Sequence, residues 1–262
     1  MSEYETIRVE YDGSIAHITL DSPSRFNSLT MSMADELLTV ITDLSDDPSV
    51  RCLTLTGNSE AFCSGADLTA FDGDASDAPR LRRLASTLHD SVIQLHQAET
   101  PIVTGINAVA AGAGVGVALS GDLVVMNEDA SIEFAYPRIG LTGDGGATFL
   151  LPRLVGLRRA KEIALLDEPI GADHAVSLGL VTESVPADEF EQHLHDVAQR
   201  LADGPTVALS ATKRLLTESF DRDLAQQLAD ETNTIAQAAQ TEDYQRGYEA
   251  FFGDDDPEFV GR

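Results

Sequence analysis

The chain has 262 residues, with 44 aspartates and glutamates against 17 lysines and arginines, a formal net charge of −27. Its 43% hydrophobic content is that of a globular protein long enough to bury a sizeable core. So acidic a surface repels nucleic acid and anionic lipid, which excludes both as partners. Lys161 and Lys213 are the only lysines. Such an excess of acid is read either as salt adaptation, because the Debye length falls to roughly 3 Å near 1 M salt and screens the surface, or as an acidic mesophilic protein. No apolar run approaches the ~18 residues of a membrane span. The acidic opening lacks the basic-then-apolar layout of a signal peptide, so the expected location is cytoplasmic.

In chain order, "TIRVEYDGSIAHITLD" (6–21) alternates around an Asp-Gly pair and predicts a β-hairpin. "SMADELLTVITDLSDD" (32–47) carries apolar residues at helical spacing, and "VRCLTLTG" (50–57) reads as a strand. Residues 71–79, within and around "DGDASDAPR", read as a mobile surface loop, followed by a helix over 79–98. "PIVTGINA" (101–108) is a further strand, and "GAGVGVALSGDLVVMN" (112–127) a helix feeding a strand. Strands alternating with helices predict an α/β architecture over 1–204. From 205 to 262 three helical segments follow with almost no strand signal, predicting a helical region that packs on the main domain or on another subunit. Cys52 and Cys63 match no metal-ligand spacing and read as small buried hydrophobes in a reducing compartment.

Three small-residue segments bear on chemistry: "AFCSGADL" (61–68), "AAGAGVG" (110–116) and "IGLTGDGGATF" (139–149). The first two are either sites of close backbone packing or places where a substrate reaches main-chain N–H groups. Two such donors converging on one carbonyl oxygen make an oxyanion hole, each worth roughly 3–4 kcal/mol. "GAGVGV" lacks the third glycine and the ribose-binding acid of a dinucleotide fingerprint. In the third segment Asp144 is the lone carboxylate; it reads as the N-cap of "GATFLLPRL" or as a catalytic group. His89 reads as a helix-surface histidine. His193 and His195, two apart, cannot share a helical face, and no metal site is expected.

Taken in order, "PSRFNSLT", "AFCSGADL", "PIVTGINAVAAGAGVG", "IGLTGDGG…LPRLVG" and the terminal "AFFGDDDPEFVGR" resemble the crotonase (enoyl-CoA hydratase/isomerase) superfamily essentially end to end. The resemblance implies a spiral of ββα units followed by trimerising helices, often as a dimer of trimers. It implies an acyl-CoA thioester substrate, with coenzyme A part of that substrate and no metal or redox cofactor. Carried over, the oxyanion donors are the N–H groups of Ala66 and Ala113, the latter where the family often has glycine. Ser64, Asp67 and Leu68 are expected along the adenine and pantetheine path. Gly112, Tyr136 and Leu141 are expected around the acyl group, Tyr136 by packing or by hydrogen bonding. Arg25 stands where the family often approaches CoA phosphates, or is a solvated turn arginine.

The hydratases of this family use two glutamates, and the matching positions here are Gly116 and Tyr136. Asp144 matches the aspartate that shuttles a proton in dienoyl-CoA and ring-type enoyl-CoA isomerases, and is expected to lie buried beside Leu141 and Phe149. The resemblance therefore points to an enoyl-CoA isomerase. Its alternatives are a hydratase using Asp144 and an idle CoA-thioester binder. The last is favoured by Asp254 and Asp255, which stand where the family's terminal basic pair binds phosphate. In 4-chlorobenzoyl-CoA dehalogenase the same aspartate is a nucleophile aided by a histidine, near His89, and by a tryptophan; this chain has no tryptophan.

Overall fold

The computed structural model describes residues 4–253 and 256–262, so the expectation for Asp254 and Asp255 lies outside the described residues. Strands β1 (Ile7–Asp12) and β2 (Ile15–Leu20) form the expected antiparallel hairpin, with Asp12 opposite Ile15. Gly13 and Ser14 close it, Gly13 at φ +57°. Helix α1 (Met31–Ser45) begins where the Thr30 hydroxyl accepts from the Met33 N–H, and it buries Met33, Ala34, Leu37, Val40, Ile41 and Leu44 along one stripe. The chain then runs through β3 (Cys52–Gly57), α2 (Ala78–Gln97), β4 (Ile102–Ile106), β5 (Ala110–Ala111), α3 (Ala113–Ala118), β6 (Leu123–Asn127) and β7 (Ser131–Glu133). Next come α4 (Ala147–Leu166), β8 (Ile170–Gly171), α5 (Ala172–Leu178), β9 (Glu183–Val185) and α6 (Phe190–Ala202).

The main sheet has the order β1-β2-β3-β4-β6-β9, parallel except for the hairpin. A smaller sheet, β5-β7-β8, carries the backbone toward the site. Strand alternation divides the main sheet into two faces. Ala16, Ile18, Leu20, Leu53 and Leu55 point into the large core with α1 and α2. Ile15, Cys52, Val103 and Val125 point the other way, against Phe190, Leu194, Ala198 and Ala202 of α6 at four-residue spacing. Burial pushes the thiols up, Cys52 to about 12 and Cys63 to about 11, which makes both inert packing groups.

The loop predicted as mobile is instead a tied knot. The buried Asp77 carboxylate accepts the N–H groups of Asp72, Gly73 and Asp74 at 3.0, 2.7 and 3.3 Å. Arg80 adds 2.6 Å to Asp77 and 3.0 Å to the Ala70 carbonyl. Those N–H groups, that of Asp72 foremost, hold the Asp77 carboxyl below its ordinary range. Composition reads acidic glycine-containing stretches as loose; here one side chain supplies the loop with its missing acceptors.

Beyond residue 205 the helices are α7 (Thr206–Glu218), α8 (Leu224–Ala238) and α9 (Glu242–Phe252). Helix α7 buries no residue, α8 only Thr234 and α9 only Asp243. The tail is tied down by Asp243, which accepts from Val260 and Gly261 at 2.7 and 2.9 Å, and by Arg51, which donates to the carbonyls of Gly204 and Phe259. Among the described residues no helix is long and apolar enough to cross a membrane.

Candidate active site

The site is built from three loops that the core forces together. Asn27 is buried at φ +54°. Its amide donates to the carbonyls of Leu20 and Phe62 at 2.8 and 2.7 Å, and its oxygen accepts the Ser22 N–H at 2.8 Å. This locks the loop after β2 onto the loop after β3. From there the chain reaches Ala66 beside Leu29, with Leu29 N–H bonded to the Gly65 carbonyl and Asp67 N–H to the Leu29 carbonyl. The Ala66 N–H between them has no acceptor among the described residues.

The second loop runs from β5 into α3. Ala113 is the first residue of α3, so no helical carbonyl reaches its N–H, which has no acceptor among the described residues. Gly65, at φ +88°, shows how close the two loops come: a Cβ there would sit 3.4 Å from the Ala113 nitrogen and 3.0 Å from the Ala111 carbonyl oxygen. Two free backbone donors thus stand on adjoining loops.

The third loop brings Asp144. Helix α4 begins at Ala147 with Gly146, at φ +82°, in the capping position and no side-chain cap. The N-cap reading of Asp144 is thereby removed: it accepts the Ala147 N–H through its backbone carbonyl at 3.1 Å and keeps its carboxylate free of that duty. That carboxylate instead receives a hydrogen bond on Oδ1 from Nε2 of His89, and Oδ2 has no partner among the described residues. His89 is on the helix surface as expected, its side chain 45% exposed, and it also meets Asp144. Along one edge of α2, His89 meets Asp144, Val92 approaches Gly146 and His96 meets Phe149 edge-on at 5.7 Å. The burial expected for Asp144 beside Leu141 and Phe149 is not found. Phe149 lies under the Arg153 guanidinium at 3.5 Å, outside the cavity, and the Asp144 side chain is 34% exposed.

A cavity of about 230 Å³ joins these parts. It gathers Ser64, Ala66, Leu68, Gly112, Ala113, Tyr136, Leu141 and Asp144 of the predicted set, and Asp144 is the only lining carboxylate among the described residues. Its apolar wall is Leu81, Leu84, Ala85 and Leu88 of α2. That wall was not foreseen, although its helical spacing is visible in the sequence. Arg138, also unforeseen, lines the cavity but is held by Glu133 and by Asp167 at 2.6 Å. Tyr136 is buried, its hydroxyl unpartnered among the described residues. Burial first, then the neighbouring Asp144 charge, pushes its pKa upward, so it stays a neutral phenol.

Two predicted residues stand outside the lining. Asp67 accepts from the Thr69 N–H and hydroxyl at 3.0 and 2.7 Å and from Ser24 at 3.0 Å, which holds its carboxyl below the ordinary range. Arg25 lies over the Phe26 ring at 4.5 Å.

Comparison with known proteins decides the ancestry of this arrangement. The sequence profile of the enoyl-CoA hydratase/isomerase family matches residues 10–262. The chain belongs to the enoyl-CoA hydratase/isomerase family. It is 37% identical to a "probable enoyl-CoA hydratase" of Rhodobacter capsulatus over 99% of both chains. It is 31% identical to the 1,2-epoxyphenylacetyl-CoA isomerase of Escherichia coli over 98% of this chain and 99% of that one. The crystal structure of an enoyl-CoA hydratase from Bacillus anthracis superposes with a TM-score of 0.93 at 28% identity, over 98% and 100% of the two chains. The fold is the crotonase fold.

Within this enoyl-CoA hydratase/isomerase chain, one departure has a steric cause. A Cβ on Gly116, the position of the first hydratase glutamate, would lie 1.5 Å from the Gly145 carbonyl oxygen. The loop carrying Asp144 fills the space through which a side chain would leave residue 116.

Proposed function

We propose that the protein is an enoyl-CoA isomerase that moves a double bond along an acyl-CoA thioester. The reading rests on one observation: among the described residues, the cavity holding both free donors is lined by a single carboxylate, Asp144. In the forward direction the thioester oxygen of a 3-enoyl-CoA accepts the N–H groups of Ala66 and Ala113. Asp144 takes a proton from C2, and the electrons of that C–H bond pass into a dienolate held by the two donors. The same carboxyl group returns the proton to C4, leaving a 2-enoyl-CoA of unchanged mass. No water is added, so one carboxylate suffices. His89 orients the carboxylate through Oδ1, which leaves Oδ2 for the proton. Likeness to an isomerase over nearly the whole chain supports this reading.

A second reading, hydration of a 2-enoyl-CoA with Asp144 in place of the glutamates, is favoured by the solvent access of Asp144 and His89 and by the name of the R. capsulatus relative. Further parts of the proposal are a homo-oligomer formed through the exposed apolar residues of α7–α9, a cytoplasmic location, no metal in the chemistry, and an optimum in high salt from the charge of −27. The experiment supplies a 3-enoyl-CoA and, separately, a 2-enoyl-CoA in molar KCl and reads products by mass and retention time. Isomerisation at constant mass supports the first reading. Gain of one water by the 2-enoyl ester, without isomerisation of the other, supports the second.

A further inference from the structure

The face of the main sheet opposite the cavity carries a second group of reactive side chains. On β2, His17 lies two residues from Ile15 on the same face, alternates with Ala16 and Ile18, and so points toward α6 rather than into the large core. On β1, Glu10 stands opposite His17, and Asp12, two residues on, occupies the same face at the hairpin end. On α6, Leu194 packs onto the sheet and places the next residue, His195, at its margin. One ligand atom from each of Asp12, His17 and His195 lies within 4.8 Å of the other two. His195 Nδ1 is 3.9 Å from Asp12 Oδ2, and the two imidazole rings are 6.0 Å apart between centroids.

We propose that Asp12, His17 and His195 form a divalent transition-metal site, suited to Zn²⁺, that clips the N-terminal hairpin to α6. Two imidazoles and one carboxylate are borderline-soft ligands that favour Zn²⁺ over Mg²⁺ or Ca²⁺. Tetrahedral Zn²⁺ needs ligand atoms roughly 3.4 Å apart, so no separation must close by more than about 1.4 Å. Rotation of Asp12 and His195, whose side chains are 68% and 33% exposed, supplies that movement without disturbing the strand. The Nδ1 of His17 is engaged by the Thr54 hydroxyl at 2.8 Å, which leaves Nε2 as its ligand atom and fixes the ring. Three protein ligands leave one position for water. The incompatibility of two histidines two apart on a helix does not touch this site: His193 turns to Glu183, 2.9 Å away, while His195 joins residues from two strands. The site lies across the sheet from Asp144 and takes no part in the isomerase chemistry.

The test is titration of the tag-free chain, stripped with chelator, with Zn²⁺ in a calorimeter, alongside thermal unfolding. One Zn²⁺ per chain and a raised midpoint of unfolding are expected, since a ligand of the folded state alone stabilises it. His195→Ala is expected to weaken binding at least tenfold, and Asp12→Asn likewise; both positions are solvent-accessible and tolerate change in folding. His193→Ala is expected to bind as the parent does. Absence of saturable binding at one equivalent, or affinity unchanged in His195→Ala and lost in His193→Ala, overturns the site. Isomerase activity of the stripped protein is expected to equal that of the loaded one, so failure here and failure of the isomerase reading are told apart.

Discussion

Helices α3 and α8 are both rich in small residues and end in opposite environments. Every residue of α3, "AGVGVA", is buried, whereas α8, "LAQQLADETNTIAQA", buries only Thr234. In α3 the absence of side chains lets other backbones touch it: the Gly145 carbonyl at Gly116, the Cys63 carbonyl at Gly114. That closeness places two N–H donors and a carboxylate around one cavity. In α8, as in α7 and α9, apolar residues such as Leu216, Ile235 and Phe251 remain exposed. The candidate site is held by close backbone contacts, and the C-terminal helices hold their shape with few buried groups of their own.

Substitutions sharpen this contrast. The largest loss is expected for Gly116→Ala, whose methyl group falls on the Gly145 carbonyl. Displacing that loop is expected to cost about 3 kcal/mol or more, a fall of roughly 6–12 °C in the unfolding midpoint, with loss of turnover. Calorimetric unfolding checks it; an unchanged midpoint would show that the loop yields freely. Asn27→Leu follows, because it strips the donors from the buried Leu20 and Phe62 carbonyls and the acceptor from the Ser22 N–H. About 2–3 kcal/mol is expected in denaturant titration.

Ile235→Ser and Phe251→Ser lie at the other pole. Each is expected to change the stability of the folded chain by less than about 0.5 kcal/mol. Light scattering is expected to show a lower assembly mass, approaching the 28.0 kDa of one chain. Unfolding by either would erase the distinction between the regions. The smallest global effect is expected for the knot at Asp77. Its carboxyl is depressed on folding, so its contribution is present above the ordinary carboxylate range and is lost as pH falls through the lowered value. Amide exchange at Asp72, Gly73 and Asp74 is expected to quicken there, and in Asp77→Ala at neutral pH, with the core unaffected.

Much of this was legible in the residues. Alternation and helical spacing located the hairpin and α1, which bury a regular stripe; β3, β4 and β6 were legible as short apolar runs, and the three last helices by helix-forming composition although they bury almost nothing. The two donor loops were legible as small-residue segments, and Asp144 as a lone charge among glycines. The His89 contact was not, since it joins residues 55 positions apart and depends on how α2 lies along α4. Nor was the order of the 72–80 loop, where one buried carboxylate replaces the acceptors that composition cannot show. Short pieces such as β5, β8 and β9 lack the length for any period to emerge; β5 and β8 have two residues each.

The central claim is that Asp144 carries the proton while the backbone holds the thioester. The direct test is Asp144→Asn assayed with a 3-enoyl-CoA, with binding of a saturated acyl-CoA measured in parallel. The account predicts binding within a fewfold of the parent and turnover lowered by roughly 10²–10⁴-fold, the usual worth of a positioned acid–base group. Turnover undiminished in a variant that still binds would contradict it.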